Sequence, residues 1–134
     1  LAVDSAYYFA CNRSKSSVTV NLRSPEGQQV IRELAAKADV FVENFRPGTM
    51  ARFGLGYEAM CAARPDIIYC SISGYGQTGP MASRPAVDLM VQAVSGLMAL
   101  TGEPDGRPVK AAAPVADTMP CRVARPRPVA NKLR

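Results

Sequence analysis

The pattern that most constrains the fold is an alternation of strand-like and helix-like segments over the first 72 residues. Residues 17–22 alternate polar and apolar side chains, which predicts a strand. A helix is predicted next, because Ser24 suits an N-cap and Pro25 suits the first helical position. Its apolar residues recur at helical spacing and predict one buried stripe, made of Val30, Ile31, Leu34, Ala35 and Ala38.

The same alternation continues along the chain. Residues 39–43 predict a second strand, and residues 67–72 predict a third after a short helical pattern at 57–63. Strand, helix, strand, helix, strand in this order predicts right-handed crossovers and a parallel sheet. The predicted fold class is therefore α/β, with helices flanking a parallel sheet.

The second half carries weaker signals. Glycine and proline predict a loop at 74–85, and the apolar run at 87–100 predicts a largely buried helix. Residues 101–106 predict turns, and residues 109–115 predict a short extended segment.

The chain has no histidine. This sequence therefore cannot supply a histidine general acid or base, a Ser-His-Asp or Cys-His nucleophile, or a histidine ligand to a metal. No metal site is predicted, because the four cysteines, Cys11, Cys61, Cys70 and Cys121, lack a C-x-x-C pair. Free thiols in a reducing cytosol are the simpler interpretation, which predicts a cytoplasmic protein.

The formal charge of +5 is a property of the end of the chain. Five basic residues lie in an Arg/Pro-rich tail at 120–134 that has no acid, whereas residues 1–119 carry 11 basic and 11 acidic groups. Nucleic-acid binding needs basic residues clustered over a face, so we expect no nucleic-acid partner. The longest apolar run contains Asp88, Gln92 and Gly96, so we expect no membrane span.

Two loops follow predicted strands, at the edge of a parallel sheet where ligands collect. Asn44, Phe45 and Arg46 offer an amide, an aromatic face and a cation for an anionic ligand with a stacking group; a plain turn is the alternative. The loop at 74–80 has three glycines, but it ends at Pro80 and does not open a helix. It is therefore neither a Walker loop nor a dinucleotide fingerprint.

Two acids and three arginines complete the candidates. Asp117 is the one acid of an apolar stretch, where it is either a nucleophile or the N-cap of the next helix. Asp88 is interpreted as a capping or dipole-compensating acid. Phosphate partners are sought among the arginines, because guanidinium binds phosphate in a bidentate fork. These candidates are Arg23, Arg52 and Arg84.

The order of the motifs resembles CoA-transferase family III, which includes formyl-CoA transferase, carnitine CoA-transferase and 2-methylacyl-CoA racemase. The motifs are N-R-S-K-S-S at 12–17, S-P-E-G at 24–27, A-D-V at 38–40, E-N-F-R-P-G at 43–48, F-G-L-G-Y at 53–57, P-D-I-I-Y at 65–69 and S-I-S-G-Y-G-Q-T-G-P at 71–80. The resemblance runs from about residue 7 to residue 119.

The resemblance implies a Rossmann-like large domain, a smaller second domain and two interlocked chains. It implies CoA transfer from an acyl-CoA donor to a carboxylic acid through an aspartyl anhydride and an aspartyl-CoA thioester. Asp117, 29 residues after Asp88, matches the nucleophile. CoA is then a substrate, with no covalently bound cofactor. The segments matching the CoA site comprise Val20, Asn21, Leu22, Arg23, Asn44, Phe45, Arg46, Arg52, Arg84, Pro85, Ala86 and Val87.

The resemblance also defines what is absent from this chain. Residues 1–119 match only part of the large domain, so we expect the piece to be inactive alone, and residues 120–134 depart from the family pattern. Racemase members place a histidine where Val87 stands, which disfavours racemization. Two alternatives remain: a non-catalytic module that binds CoA or a partner chain, and a tail that binds anionic surfaces.

Overall fold

The computed structural model describes residues 6–118 and contains two strands and several short helices in an α/β arrangement. The strands are β1 (Val40–Glu43) and β2 (Ile68–Ser71). The helices are α1 (Ala6–Asn12), α2 (Pro25–Ala36), α3 (Thr49–Arg52), α4 (Tyr57–Ala63), α5 (Asp88–Val94) and α6 (Val115–Thr118), with a 3₁₀ helix at Leu97–Leu100.

The two strands form a parallel pair. Val40 stands opposite Ile68, and Glu43 stands opposite Ser71 at the other end of the ladder. Between them the chain passes through α3 and α4, the crossover that a parallel pair requires. The prediction of an α/β fold with a parallel sheet and flanking helices is confirmed, and α4 has the predicted bounds.

The start of α2 follows the predicted cap. The Ser24 hydroxyl accepts the Gly27 N–H at 3.1 Å, and Pro25 occupies the first turn. The buried stripe is only partly correct: Ala35 is buried, but Val30 and Leu34 are 42% and 50% exposed. Within the described residues, α2 packs against α4 on one side, so only that side of the stripe is covered.

The core lies between α2, α3, α4 and the start of β2. Its buried residues are Ala35, Met50, Leu55, Met60 and Ile67. Leu22, Ile31, Phe41 and Tyr69 pack around them. The rings of Phe41 and Tyr69 stack with centroids 5.2 Å apart across the strand pair. This core fixes the two strands relative to α2 and α4.

The strand predicted at 17–22 is absent from the structure. A strand needs a neighbouring strand to supply hydrogen bonds, and within the described residues neither β1 nor β2 pairs with residues 17–22. Val18 is exposed. Residues 21–24 instead form a turn, in which the Ser24 N–H donates to the Asn21 carbonyl at 3.2 Å.

The long helix predicted at 87–100 is also wrong in form. α5 ends at Val94. Gly96 then adopts a left-handed conformation, with φ = 80°, which separates α5 from the 3₁₀ helix. Leu89, Met90 and Leu100 are exposed, so the segment is not largely buried. The turns at 101–106 are present, whereas residues 109–114 form no strand and Val115 begins α6.

The structure bears on metal ligands, membrane spans and cysteines for residues 6–118 only. Residues 6–118 contain no cluster of acids and thiols able to hold a metal ion. No helix among them is long and apolar enough to cross a membrane. Cys11, Cys61 and Cys70 are free and partly exposed, and Cys121 lies outside the described residues.

Candidate active site

The loops that follow β1 and β2 are joined directly at the carboxyl edge of the sheet. The Asn44 side-chain amide donates to the Ile72 carbonyl at 2.8 Å. Just before it, the buried Glu43 carboxylate accepts the Phe45 N–H at 2.7 Å and the Ser71 hydroxyl. These contacts fix the backbone of the loop at 44–46 against the end of β2.

A cleft of about 420 Å³ opens beside this edge, and we call it the aspartate cleft. It is lined by residues from both loops, the segment before α5, and α6. They include Asn44, Ser73, Gly74, Ala86, Val87 and Asp117. The structure therefore brings Asp117 together with three of the residues predicted to bind CoA: Asn44, Ala86 and Val87.

The Gly74 backbone lies very close to Ala86 in this cleft. A Cβ atom built on Gly74 would stand 2.0 Å from the Ala86 Cβ, far inside contact distance. Only glycine at position 74 allows the loop after β2 to pack this closely against the segment before α5. The glycine at position 74 thus serves the close packing of these two segments.

Asp117 lies in the middle of α6 and its side chain is exposed in the cleft. The N-cap interpretation of Asp117 is wrong, because Asp88 performs that function. Asp88 Oδ1 accepts the Ala116 N–H at 2.8 Å and the Asp117 N–H at 3.3 Å. Asp117 itself is exposed and lines the cleft.

Asp88 is in the first turn of α5, as its dipole-compensating interpretation requires, but it does not cap α5. Its second oxygen, Oδ2, accepts the Gln92 side-chain amide at 2.5 Å. Gln92 is fully buried, and its own Oε1 accepts the Ala111 N–H at 2.9 Å. Asp88 and Gln92 therefore tie both ends of the segment 111–117 to α5.

A second, smaller cleft of about 260 Å³ lies on the other side of the β1 end, and we call it the tyrosine cleft. Its polar lining includes Glu43, Arg46, Tyr57, Tyr69 and Ser71. Burial, together with the nearby negative charge of Glu43, raises the pKa of the Tyr69 phenol. This phenol accordingly stays neutral above the ordinary tyrosine pKa.

Arg46 and the three arginines predicted to bind phosphate lie at separate places in the structure. Arg46 lines the tyrosine cleft, and Arg52 is exposed at the end of α3, where its guanidinium donates to the Thr49 hydroxyl at 3.2 Å. Arg23 and Arg84 are exposed in turns. Among the described residues, none of these four arginines lines the aspartate cleft.

The predicted CoA segment at 20–23 lies at the start of α2. Asn21 Oδ1 accepts the Arg23 N–H at 3.0 Å, and the Leu22 carbonyl accepts the Gln28 side-chain amide at 3.1 Å. Among the described residues, neither cleft is lined by residues 20–23.

The comparisons with known proteins agree with the motif order. The sequence profile of CoA-transferase family III matches residues 2–124. The chain belongs to CoA-transferase family III. Succinyl-CoA:glutarate CoA-transferase of Homo sapiens is 49% identical over 117 residues, which is 87% of this chain and 27% of that protein. Acetyl-CoA:oxalate CoA-transferase of Acetobacter aceti is 48% identical over 79% of this chain and 27% of that protein.

Two solved structures are similar to this chain in fold. A CAIB/BAIF family protein from Brucella suis superimposes with a TM-score of 0.76 at 42% identity, covering 89% of this chain and 36% of that chain. A hypothetical protein from Mycobacterium tuberculosis superimposes with a TM-score of 0.73 at 39% identity, covering 83% of this chain and 31% of that chain. The chain thus spans between 27% and 36% of the length of these four proteins.

The contact between Asp88 and α6 was not predicted from the sequence, nor was the function of Gln92. One signal was present for Gln92: it is a polar residue within the apolar run 87–100, four residues after Asp88. Residues at this spacing meet on one helix face. The capping of α6 by Asp88 had no local signal, because the two lie 29 residues apart.

Proposed function

We propose that the complete protein transfers CoA from an acyl-CoA thioester to a carboxylic acid, with Asp117 as the nucleophile. The observation that carries this proposal is that Asp117 is exposed and lines the aspartate cleft together with Asn44 and Val87. Family membership supports it, and the names of the relatives describe CoA transfer between acids.

In the first half of the proposed reaction, the Asp117 carboxylate forms two covalent intermediates in turn. The Asp117 carboxylate attacks the thioester carbonyl, the C–S bond breaks, and a mixed anhydride and CoA thiolate result. The thiolate then attacks the aspartyl carbonyl, which releases the donor acid and leaves an aspartyl-CoA thioester. The acceptor carboxylate repeats the sequence in reverse, so that the acceptor leaves as its CoA thioester and Asp117 is regenerated.

The acceptor class proposed here is a dicarboxylic acid. Relatives are named for glutarate, oxalate and L-malate, and each of these acids carries two carboxylates. A matched pair of acceptors tests this: glutarate and pentanoate have the same number of carbon atoms and differ by one carboxylate. We expect the complete protein to use glutarate with the higher kcat/KM, and a preference for pentanoate would refute the dicarboxylate assignment.

The residues proposed to contact CoA divide by position. Asn44, Ala86 and Val87 line the aspartate cleft, and we propose that they contact the thioester end of CoA. Arg46 lines the tyrosine cleft, and we propose that it binds an anionic part of CoA. The remaining proposals are Val20, Asn21, Leu22, Arg23, Phe45, Arg52, Arg84 and Pro85. Their support is the match to the family's CoA segments.

Asp117→Asn distinguishes transfer from the alternative of a non-catalytic CoA-binding module. The amide cannot form the anhydride but keeps nearly the same shape. We expect transfer by the complete protein to be abolished, while the affinity for CoA changes less than about threefold. A parent protein that binds CoA with no turnover of any acyl-CoA would support the non-catalytic alternative. Racemization is disfavoured, because Val87 stands where racemases place a histidine.

The assembly and setting of the complete protein are also proposals. The resemblance supports an interlocked homodimer, which light scattering of the complete protein tests. A cytoplasmic location remains a prediction from the free cysteines. The assignment of 1–119 to a partial large domain and the inactivity of this piece alone also remain predictions.

A further inference from the structure

Two side chains on one face of α5 hold the segment that carries Asp117. Asp88 uses one oxygen for the Ala116 and Asp117 N–H groups and the other for the Gln92 amide. Gln92 then accepts the Ala111 N–H. The chain of contacts runs from one end of the segment 111–117, through both side chains, to the other end.

The orientation of the Gln92 amide is set by its two partners. Its Oε1 faces the Ala111 N–H donor at 2.9 Å, and its Nε2 faces the Asp88 carboxylate at 2.5 Å. Gln92 has no exposed surface, so a mismatched donor or acceptor there would stay unpaired and without water. The pair is therefore specific: a carboxylate at 88 requires an amide at 92.

We infer that Asp88 and Gln92 are positioning residues for the transfer reaction, which set the backbone of Ala116 and Asp117 and thereby the place of the nucleophilic carboxylate. This inference rests on the proposed function of Asp117. Neither side chain needs to touch the substrate, because each acts through backbone N–H groups. A nucleophile displaced by about 1 Å loses about 100-fold in rate, so small changes in this pair reach the reaction.

The test compares a single variant with a double variant of the complete protein. In Asp88→Asn, an amide N–H₂ faces the Gln92 N–H₂ group, so one buried donor loses its acceptor. The double variant Asp88→Asn/Gln92→Glu restores the pattern: the carboxylate at position 92 accepts both the amide at position 88 and the Ala111 N–H. The Asn oxygen still faces the Ala116 and Asp117 N–H groups.

We expect Asp88→Asn to lower kcat about 100-fold, with the KM for acyl-CoA within about twofold of the parent. We expect the kcat of the double variant to be at least tenfold higher than the kcat of Asp88→Asn. Ser95→Ala is the matched control: the Ser95 hydroxyl donates to the Gln92 carbonyl at 3.2 Å and makes no bond to the segment 111–117. Its kcat should equal that of the parent.

The outcomes separate this inference from the proposed function. Transfer that persists in Asp117→Asn overturns the proposed function. An inactive Asp117→Asn together with a fully active Asp88→Asn overturns the positioning inference alone, as does a double variant no faster than the single one. If Asp88→Asn does not fold, the double variant decides alone: a kcat near the parent supports the pairing, and a kcat about 100-fold lower overturns it.

Discussion

The Asn44 side chain donates a 2.8 Å hydrogen bond to the Ile72 carbonyl and so joins the two loops that follow the parallel strands. The two residues are 28 positions apart, and the contact exists only because β1 and β2 lie side by side in register. Asn44 and Ile72 both line the aspartate cleft, so this hydrogen bond fixes one of its walls.

Asn44→Ala should lower the free energy of unfolding by about 1 kcal/mol, the usual net value of one neutral hydrogen bond. Asn44→Asp should cost more, because a carboxylate oxygen then faces the Ile72 carbonyl oxygen. Urea unfolding of the complete protein measures both. The control is Gln77→Ala, which removes a longer, exposed bond to Ser73 and should stay within about 0.5 kcal/mol of the parent. Equal stability of all three variants would contradict this prediction.

Gly27→Ala should destabilise the start of α2. A Cβ there would stand 2.0 Å from the Asn21 carbonyl oxygen, a backbone atom that cannot move alone. Alanine is the better helix former, so propensity alone predicts a gain of up to about 1 kcal/mol. We expect instead a loss of about 1–3 kcal/mol, typical of overpacking.

The measurement is again urea unfolding, with Gln29→Ala on the exposed side of α2 as the control. That variant should change stability by less than about 0.5 kcal/mol. A Gly27→Ala protein more stable than the parent would show that the turn at 21–24 is not held against α2.

The Tyr69 phenol should titrate above the ordinary tyrosine pKa, because burial and the Glu43 charge both disfavour the phenolate. Its folded pKa exceeds its unfolded pKa, so folding stability falls as the pH rises above the unfolded value. Glu43→Gln removes the charge and should lower the Tyr69 pKa part of the way. NMR titration of the tyrosine Cζ resonances measures the shift.

Tyr57 provides the internal control for that titration. Its pKa is raised chiefly by a hydrogen bond with Cys61, and Glu43 does not contribute. The Tyr57 pKa should therefore stay the same in Glu43→Gln. A Tyr69 pKa that is unchanged in the same variant would refute the electrostatic link between Glu43 and Tyr69.

The structural features predicted correctly from the sequence are those that depend on residues close together in the chain. Ser24 and Pro25 fixed the start of α2, and the apolar runs at β1 and β2 fixed the strands, because caps and periodicity act over a few residues. The strand at 17–22 failed for the converse reason: its pattern was correct, but strand formation needs a partner.

In the candidate site, too, the structure brings several of the predicted residues together, whereas a contact between distant residues was not predicted. Asn44, Ala86, Val87 and Asp117 were proposed from loop position and family resemblance, and the structure gathers them in one cleft. The capping of α6 by Asp88 was out of reach, since it joins residues 29 apart in a way no local pattern encodes. From the residues alone Asp117 had two interpretations, nucleophile or N-cap, because an aspartate before a helix is the ordinary N-cap signal.

Covalent trapping at Asp117 tests the central claim most directly. The complete protein is incubated with succinyl-CoA, quenched with hydroxylamine, and mapped by tandem mass spectrometry. An anhydride or aspartyl-CoA thioester at Asp117 is converted by hydroxylamine to a hydroxamate at that residue. We predict a hydroxamate at Asp117 that depends on the acyl-CoA and is absent in Asp117→Asn. Transfer activity with no hydroxamate at Asp117, or with the hydroxamate at another residue, would contradict the proposed mechanism.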